Sequence, residues 1–279
     1  MVLYLQSTVC AEEKGGNVHQ VYWRFFGSLN DFLPRERRHQ RFSQGLKPGQ
    51  VSFGKGAEGE GFRFGQTIKD AFEAIGVPHP EVAFMRVNGQ AVDFSHQLAP
   101  GDEVQVYPHH QVPIHTADEA RMPFLPGGKP SFVLDVHLGA LVRYMRLAGF
   151  DCLYSATDPG DACIAELACE QQRVVLTRDV GLLKRTRVTW GYRLRNVQPK
   201  AQFREVVDYF QLKHWFDPFN RCSICNSEEL LPLNRVQALS FMPEGVPKTV
   251  DELWRCRVCG KIYWQGSHYD GIQRFMETV

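Results

Sequence analysis

Apolar positions along the chain follow two rhythms, one of strands and one of helices, and these divide it into modules. Val18-His19-Gln20-Val21-Tyr22-Trp23-Arg24-Phe25 reads as a strand. From Thr67 to Gly76, apolar residues fall at Ile68, Ala71, Phe72 and Ile75, the one-sided stripe of an amphipathic helix. Thr67 is placed to cap its start, with Asp70 three residues on, and Gly76 to stop it. Val82 to Val87 is a strand, Asn88-Gly89 a tight hairpin turn, and Ala91 to Phe94 the return strand. Pro100-Gly101-Asp102 then turns the chain into Glu103 to Pro108. These elements predict a small α+β module over residues 18–110, with residues 1–17 as a leader without assigned function.

A second pattern begins at Ser131. Phe132-Val133-Leu134 is a short buried-type strand ending on Asp135, followed by a helix with Leu138, Leu141, Val142, Met145 and Ala148 on one face and Gly149 as its stop. Phe150 to Tyr154 is the next strand, and the turn Thr157 to Asp161 opens a helix with Ile164, Leu167 and Ala168 inward. Val174 to Thr177 is a third strand, delivering Arg178-Asp179. A short helix over Val180 to Arg185, a strand near Tyr192 to Asn196 and an amphipathic helix from Gln202 to Leu212 complete the series. Strand and helix alternating at this spacing predict a parallel sheet with right-handed crossovers over residues 131–214. Residues 111–130 are rich in Pro and Gly and read as a linker. His109, His110 and His115 fall at its start without acidic or cysteine partners at ligand spacing.

Composition adds limits. At 279 residues, 43% hydrophobic and 23% charged, the chain is in the globular range and long enough for two or three modules. The net charge of +1 says little, although basic residues cluster at Arg35 to Arg38 and between Lys184 and Arg195. No stretch approaches the roughly 18 apolar residues of a membrane span, and no basic region precedes an apolar run at the start, so a cytoplasmic protein without a membrane partner is expected.

Of the eight cysteines, four form the pairs Cys222-Ser223-Ile224-Cys225 and Cys256-Arg257-Val258-Cys259. Paired Cys-x-x-Cys turns in a chain without secretory signals point to a metal rather than to disulfides, and two such pairs argue against a redox motif. Four thiolates suit tetrahedral Zn²⁺ in a closed structural site, with a hairpin in the gap, as in a zinc ribbon over residues 215–279. Trp254, Arg255, Arg257, Lys261, Tyr263, Trp264, His268 and Tyr269 surround the second pair. Rings interleaved with cations suit backbone contact and base stacking on a nucleic acid, and equally the packing of a small ribbon.

Asp135 and Asp179 both end predicted strands, where the crevice of an open α/β sheet receives ligands. Two or three carboxylates there suit Mg²⁺ or Mn²⁺, which prefer oxygen ligands. Asp161 at the start of the intervening helix is the third candidate; Asp158 stands ready to substitute, and Glu166 lies one turn further on. Any one of these aspartates can equally be a helix cap. Arg143 and Arg146 fall off the apolar face of their helix and are expected to be free to meet a phosphate backbone.

Two resemblances extend this reading. The order of elements over 18–110, with the Asn88-Gly89 hairpin and the Gly101-Asp102-Glu103-Val104 ending, resembles the ubiquitin-like β-grasp of small sulfur carriers. Those carriers use an exposed terminal Gly-Gly, whereas here the last strand runs on into Pro108-His109-His110. The resemblance therefore implies a scaffold or protein-binding module, or a structural cap. Residues Phe132 to Leu141, Arg143 to Asp151, and Arg173 to Asp179 with Leu182-Leu183 resemble the Mut-seven C-terminal (Mut7-C) RNase family of PIN-like nucleases. That likeness spans about residues 130–275 and implies a PIN-like α/β core with a zinc ribbon, acting on RNA. It places Asp135, Asp161 and Asp179 on the family's acidic catalytic positions. Thr177 and Arg178 sit beside the last, where they can contact phosphate or orient a carboxylate, and Arg178 can equally be a structural ion-pair partner. Where family members often continue with acidic residues, Asp161 is followed by Ala162 and Cys163. A non-catalytic RNA- or ribosome-binding adaptor is the alternative that this departure raises.

Overall fold

The computed structural model describes residues 20–45, 65–113, 125–238, 242 and 252–279. The expectations for the leader and for most of the linker, His115 included, lie outside them. The chain divides into two compact units, one of Met1–Ile75 with Phe84–Ala120 and one of Gly76–Ala83 with Arg121–Val279.

In the first unit five strands form one mixed sheet: β1 (Gln20–Phe25), β2 (Phe42–Gly45), β3 (Val82–Val87), β4 (Gln90–Val92) and β5 (Glu103–Pro108), in the order β2-β1-β5-β3-β4. First and last strands pair in parallel at its centre, β2 runs antiparallel to β1, and β4 runs antiparallel to β3. Helix α1 (Ile68–Ile75) buries Ile68, Ala71 and Phe72, and the Thr67 hydroxyl accepts the Asp70 N–H at 3.1 Å. Strand β4 stops short of Phe94 because the Asp93 carboxylate turns back to accept the Ser95 N–H at 2.8 Å. Strand β2 has no clear signature, since a half-exposed edge strand such as Phe42-Ser43-Gln44-Gly45 carries little apolar pattern.

The second unit is organised on four parallel strands, β6 (Phe132–Leu134), β7 (Cys152–Tyr154), β8 (Val174–Thr177) and β9 (Gly191–Arg193), in the order β7-β6-β8-β9. Helix α2 (Gly139–Leu147) and helix α5 (Pro199–Phe210) cover one face, where Leu141, Met145, Phe203 and Val206 pack on Phe132, Leu134, Val174 and Leu176. Helix α3 (Asp161–Glu170) and the short α4 (Val180–Leu183) cover the other, where Ile164, Ala165, Ala168 and Leu182 meet Val133 and Val175. Both faces of the strands are therefore buried, which is why they read as continuous apolar runs. Each fully buried Phe or Leu side chain contributes about 1.5–3 kcal/mol by leaving water.

Gly149 ends α2 at φ +91°. A Cβ there would lie 2.3 Å from the Asp217 carbonyl oxygen, so the close approach of the later backbone needs a glycine as much as the turn does.

Beyond α5, the strands β10 (Leu230–Asn234), β11 (Glu252–Cys256) and β12 (Ile262–Trp264) form a three-stranded antiparallel sheet, with α6 (Arg235–Ala238) after β10. The chain then enters helix α7 (Ser267–Glu277), whose Phe275 and Met276, with Val279, join the core of the parallel sheet. The Phe275 ring sits 5.6 Å from Tyr144 and 5.7 Å from Phe203. The stripe Ile272, Phe275, Met276 and Val279 is a helix signal left unused in reading residues 215–279 as a ribbon alone. Among the described residues no helix is long and apolar enough to cross a membrane.

Candidate active site and metal centre

The strand order β7-β6-β8-β9 sends the chain from β6 to one side and then back across to the other, so the sheet has its switch point between β6 and β8. Outside the carboxyl ends of such a pair the two crossover connections diverge and leave a crevice. Asp135 follows β6 there and Asp179 follows β8.

Both aspartates cap the turn that follows them. Asp135, 8% exposed, accepts the His137 N–H at 3.2 Å through one oxygen. Its other oxygen accepts the Thr177 hydroxyl at 2.7 Å. The same Thr177 oxygen accepts the Asp179 N–H at 2.9 Å, and an Asp179 oxygen accepts the Gly181 N–H at 2.8 Å. Thr177 is fully buried, so it orients both aspartates and does not reach a phosphate. Tyr154, at the end of β7, donates to the Val136 carbonyl at 3.1 Å and steadies the turn that follows Asp135. Asp179 and its neighbour Arg178 are exposed. Capping uses one lone pair of each engaged carboxylate oxygen and leaves others free, so a cap here can also be a ligand.

Asp161 begins α3 half exposed, with the Arg185 guanidinium 3.7 Å from it. Asp158 is used in its own turn, accepting the Gly160 N–H at 2.8 Å, and Glu166 pairs with Arg187. Among the described residues, Asp135, Asp161 and Asp179 do not draw together into a three-carboxylate cluster that could surround one ion. Mg²⁺ commonly keeps several waters and takes only one or two carboxylates, with substrate phosphates completing its shell. Asp135 and Asp179 fit that donor set.

The four cysteines do draw together. The sulfur atoms of Cys222, Cys225, Cys256 and Cys259 all lie within 4.8 Å of one another, with Cys222 to Cys259 at 3.6 Å and Cys225 to Cys256 at 3.5 Å. A tetrahedron with Zn–S of about 2.3 Å has edges of about 3.8 Å, so the set fits a zinc-sized ion. Each Cys-x-x-Cys turn ends on a residue with positive φ, Asn226 at +73° and Gly260 at +75°. Those conformations let the Asn226 N–H reach the Cys222 carbonyl at 3.0 Å and the Gly260 N–H reach that of Cys256 at 2.9 Å. Burial alone would raise the Cys222 thiol, but the N–H groups of Cys225 and Ile224 and the Tyr263 hydroxyl outweigh it and bring it down to about 7.

The first cysteine turn is bolted to the edge strand β7. Arg146 is 5% exposed, which corrects the expectation that it is free to meet a phosphate backbone. Its guanidinium donates to the Cys152 carbonyl at 2.7 and 3.1 Å, to Ile224 at 2.5 Å and to Ser223 at 3.4 Å. Burial pulls it below the ordinary arginine value. Arg146 stands three residues from Arg143, so a single-helix pattern puts the two on neighbouring faces. A segment arriving some 77 residues later covers only one of them. Asn226 completes the seam: its side chain accepts the Cys152 N–H at 3.0 Å and donates to Asp151 at 2.7 Å. Asp151 also binds Arg173 at 2.8 Å. Burial would raise its carboxyl, but the bonds from Arg173 and Asn226 hold it below the ordinary aspartate range.

Arg143 remains exposed on α2 and Lys261 on the second cysteine turn, and both line one cavity of about 700 Å³ together with Trp254, Tyr263 and Trp264. Of the other residues near that turn, Arg257 pairs with Glu229 at 3.3 Å. Trp264 also packs against a small core of Ala238, Leu253 and Ile262 at the β10–β12 sheet. Nothing is described for the side chains of His268 and Tyr269.

A family model described as the Mut7-C RNAse domain matches residues 130–276, more than half of the chain. The chain belongs to the Mut7-C RNase family. A second model, Mut7-C ubiquitin, matches residues 55–113 and gives this Mut7-C protein a ubiquitin-like part ahead of its RNase domain. Neither the comparison with curated proteins nor that with solved structures finds a match. Membership assigns the second unit of this Mut7-C protein a nuclease kind and an RNA-related function.

Proposed function

We propose that the chain is a metal-dependent ribonuclease that hydrolyses RNA phosphodiesters at the crevice between β6 and β8. The observation that carries this reading is the pairing of Asp135 and Asp179 at the switch point: Thr177 binds the Asp135 carboxylate and the Asp179 backbone N–H, and the Gly181 N–H fixes the Asp179 carboxylate, while lone pairs on both carboxylates stay open. Mg²⁺ or Mn²⁺ bound there would lower the pKa of water and stabilise charge on the phosphoryl oxygens. Asp135 and Asp179 hold the cation, and Arg178 beside them is exposed to meet a phosphate. Asp161, with Arg185 next to it, faces the same substrate from the start of α3. The remaining parts follow: a PIN-like core and a zinc ribbon in residues 131–214 and 215–279, a β-grasp module in residues 18–110 that binds a protein partner, and a cytoplasmic location. Zinc in the four-cysteine site has a structural role, because a closed thiolate set offers no open position for a reactant.

The test is cleavage of labelled single-stranded and structured RNAs by purified protein, with Mg²⁺ or Mn²⁺ added to metal-free buffer. Asp135→Asn is expected to abolish cleavage while zinc content and melting temperature stay at the parent values. Undiminished cleavage by that variant refutes the reading. A second reading, an RNA- or ribosome-binding adaptor without catalysis, draws on the ion pairing of Asp161 with Arg185 in place of a compact acidic cluster. Calorimetric titration with Mn²⁺ separates the two, since an adaptor shows no binding that depends on Asp135 and Asp179.

A further inference from the structure

The cavity beside α2 has a lining that the acidic crevice does not call for. The positions Ala140, Arg143, Tyr144 and Leu147 form its α2 wall, a stripe distinct from the buried one at Leu141, Val142 and Met145. Trp254 and Tyr263 are cross-strand partners in β11 and β12, so their rings stand on the same face of the ribbon. Among the described residues that line it, none is acidic. Arg221 also lines it, but that guanidinium is engaged by the Asn226 carbonyl and by Glu228. Arg143 and Lys261 are exposed, and among the described residues neither side chain has a hydrogen-bonding or ion-pair partner.

Flat apolar walls with two uncommitted cations and no carboxylate match a group whose faces are apolar and whose edge is anionic. A nucleobase carried on its phosphate is such a group; an apolar peptide would leave both cations unanswered. A base stacked inside a duplex cannot enter, so the occupant is a single strand. We propose that this cavity receives an unstacked base of single-stranded RNA, seated against Trp254 and Tyr263, with Arg143 and Lys261 on the flanking phosphates. The proposal rests on the RNA-directed reading above and deepens it, making the ribbon and α2 a joint strand-holding site. The placement serves the crevice, because Ala140 at the cavity wall is the second residue of α2, only five positions after Asp135.

The experiment uses the full zinc-loaded chain carrying Asp135→Asn, so that RNA is bound and not cut. Fluorescence anisotropy compares a labelled single strand of about ten nucleotides, within the range of such sites, with its duplex. The single strand is expected to bind more tightly and to quench tryptophan fluorescence. Lys261→Gln and Arg143→Gln are each expected to lower the slope of log affinity against log salt by about 0.7, the share of one phosphate contact on a single strand. Trp254→Ala is expected to weaken binding about 5- to 100-fold, the effect of losing one stacked base. Should Trp254→Ala lose its zinc and fold, the two exposed-cation variants decide alone. Equal affinity for the duplex, or an unchanged salt slope in both cation variants, overturns the proposal. Cleavage is scored separately in the parent chain, so a nuclease that fails to cut while this site still binds refutes catalysis and not the strand-holding site.

Discussion

Replacing Arg146 with methionine separates a structural arginine from an RNA-binding one. Methionine keeps most of the side-chain volume, so the change removes the hydrogen bonds and the charge without leaving a large hole. In the parent the guanidinium serves the Cys152 and Ile224 carbonyls at 2.7 and 2.5 Å, and Ser223 more weakly at 3.4 Å. Leaving a buried acceptor without its donor costs about 1–3 kcal/mol. Two such carbonyls bring the expected loss to about 2–6 kcal/mol, a large part of the roughly 5–15 kcal/mol that holds a domain folded. Because one carbonyl belongs to β7 and the other to the first cysteine turn, zinc should also leave faster to a chelator. Denaturant unfolding at fixed zinc gives the first quantity, and colorimetric release gives the second. The reasoning is refuted if Arg146→Met is within about 0.5 kcal/mol of the parent, the range of an ordinary surface change, and instead reduces the salt dependence of RNA binding.

Other expectations follow from the same geometry. Thr177→Val keeps shape but removes both the donor to Asp135 and the acceptor for the Asp179 N–H; cleavage should fall at least about tenfold with about 1–3 kcal/mol of stability lost, and unchanged kinetics would exclude the orienting role. Gly149→Ala places a Cβ against the Asp217 carbonyl at positive φ and should cost about 2–4 kcal/mol in thermal unfolding; a neutral result would mean that this backbone yields easily. Metal analysis should find one zinc per chain bound by the four cysteines, and stripping it should melt the β10–β12 sheet before the β6–β9 sheet when followed by hydrogen exchange. Simultaneous loss of both would make the seam through Arg146 and Asn226 stronger than its bonds imply.

Much of the second unit could be read directly from the chain, since its signals are local. Short apolar runs buried on both faces, the glycine that stops α2 and aspartates at strand ends all act within a few residues of themselves. The cysteine pairs were equally plain, with Asn226 and Gly260 standing where each turn needs a left-handed residue. The half-exposed β2 and the helix α7 were missed, the first for want of pattern and the second because a ribbon was expected to account for the whole tail.

The sequence by itself determined that Asp135 and Asp179 end strands and that two Cys-x-x-Cys turns offer four thiols of metal-ligand type, because strand ends and such turns are properties of short segments. Only the tertiary structure decided what those residues do for one another. The strand order placed β6 and β8 side by side, so that Thr177 could hold both aspartates. The arrival of Ser223 and Ile224 buried Arg146 while Arg143 stayed open. The return of β11 and β12 set Trp254, Tyr263 and Lys261 opposite α2. Each of these joins segments far apart in the chain, and such contacts depend on how faces pack and not on the pattern of any one segment.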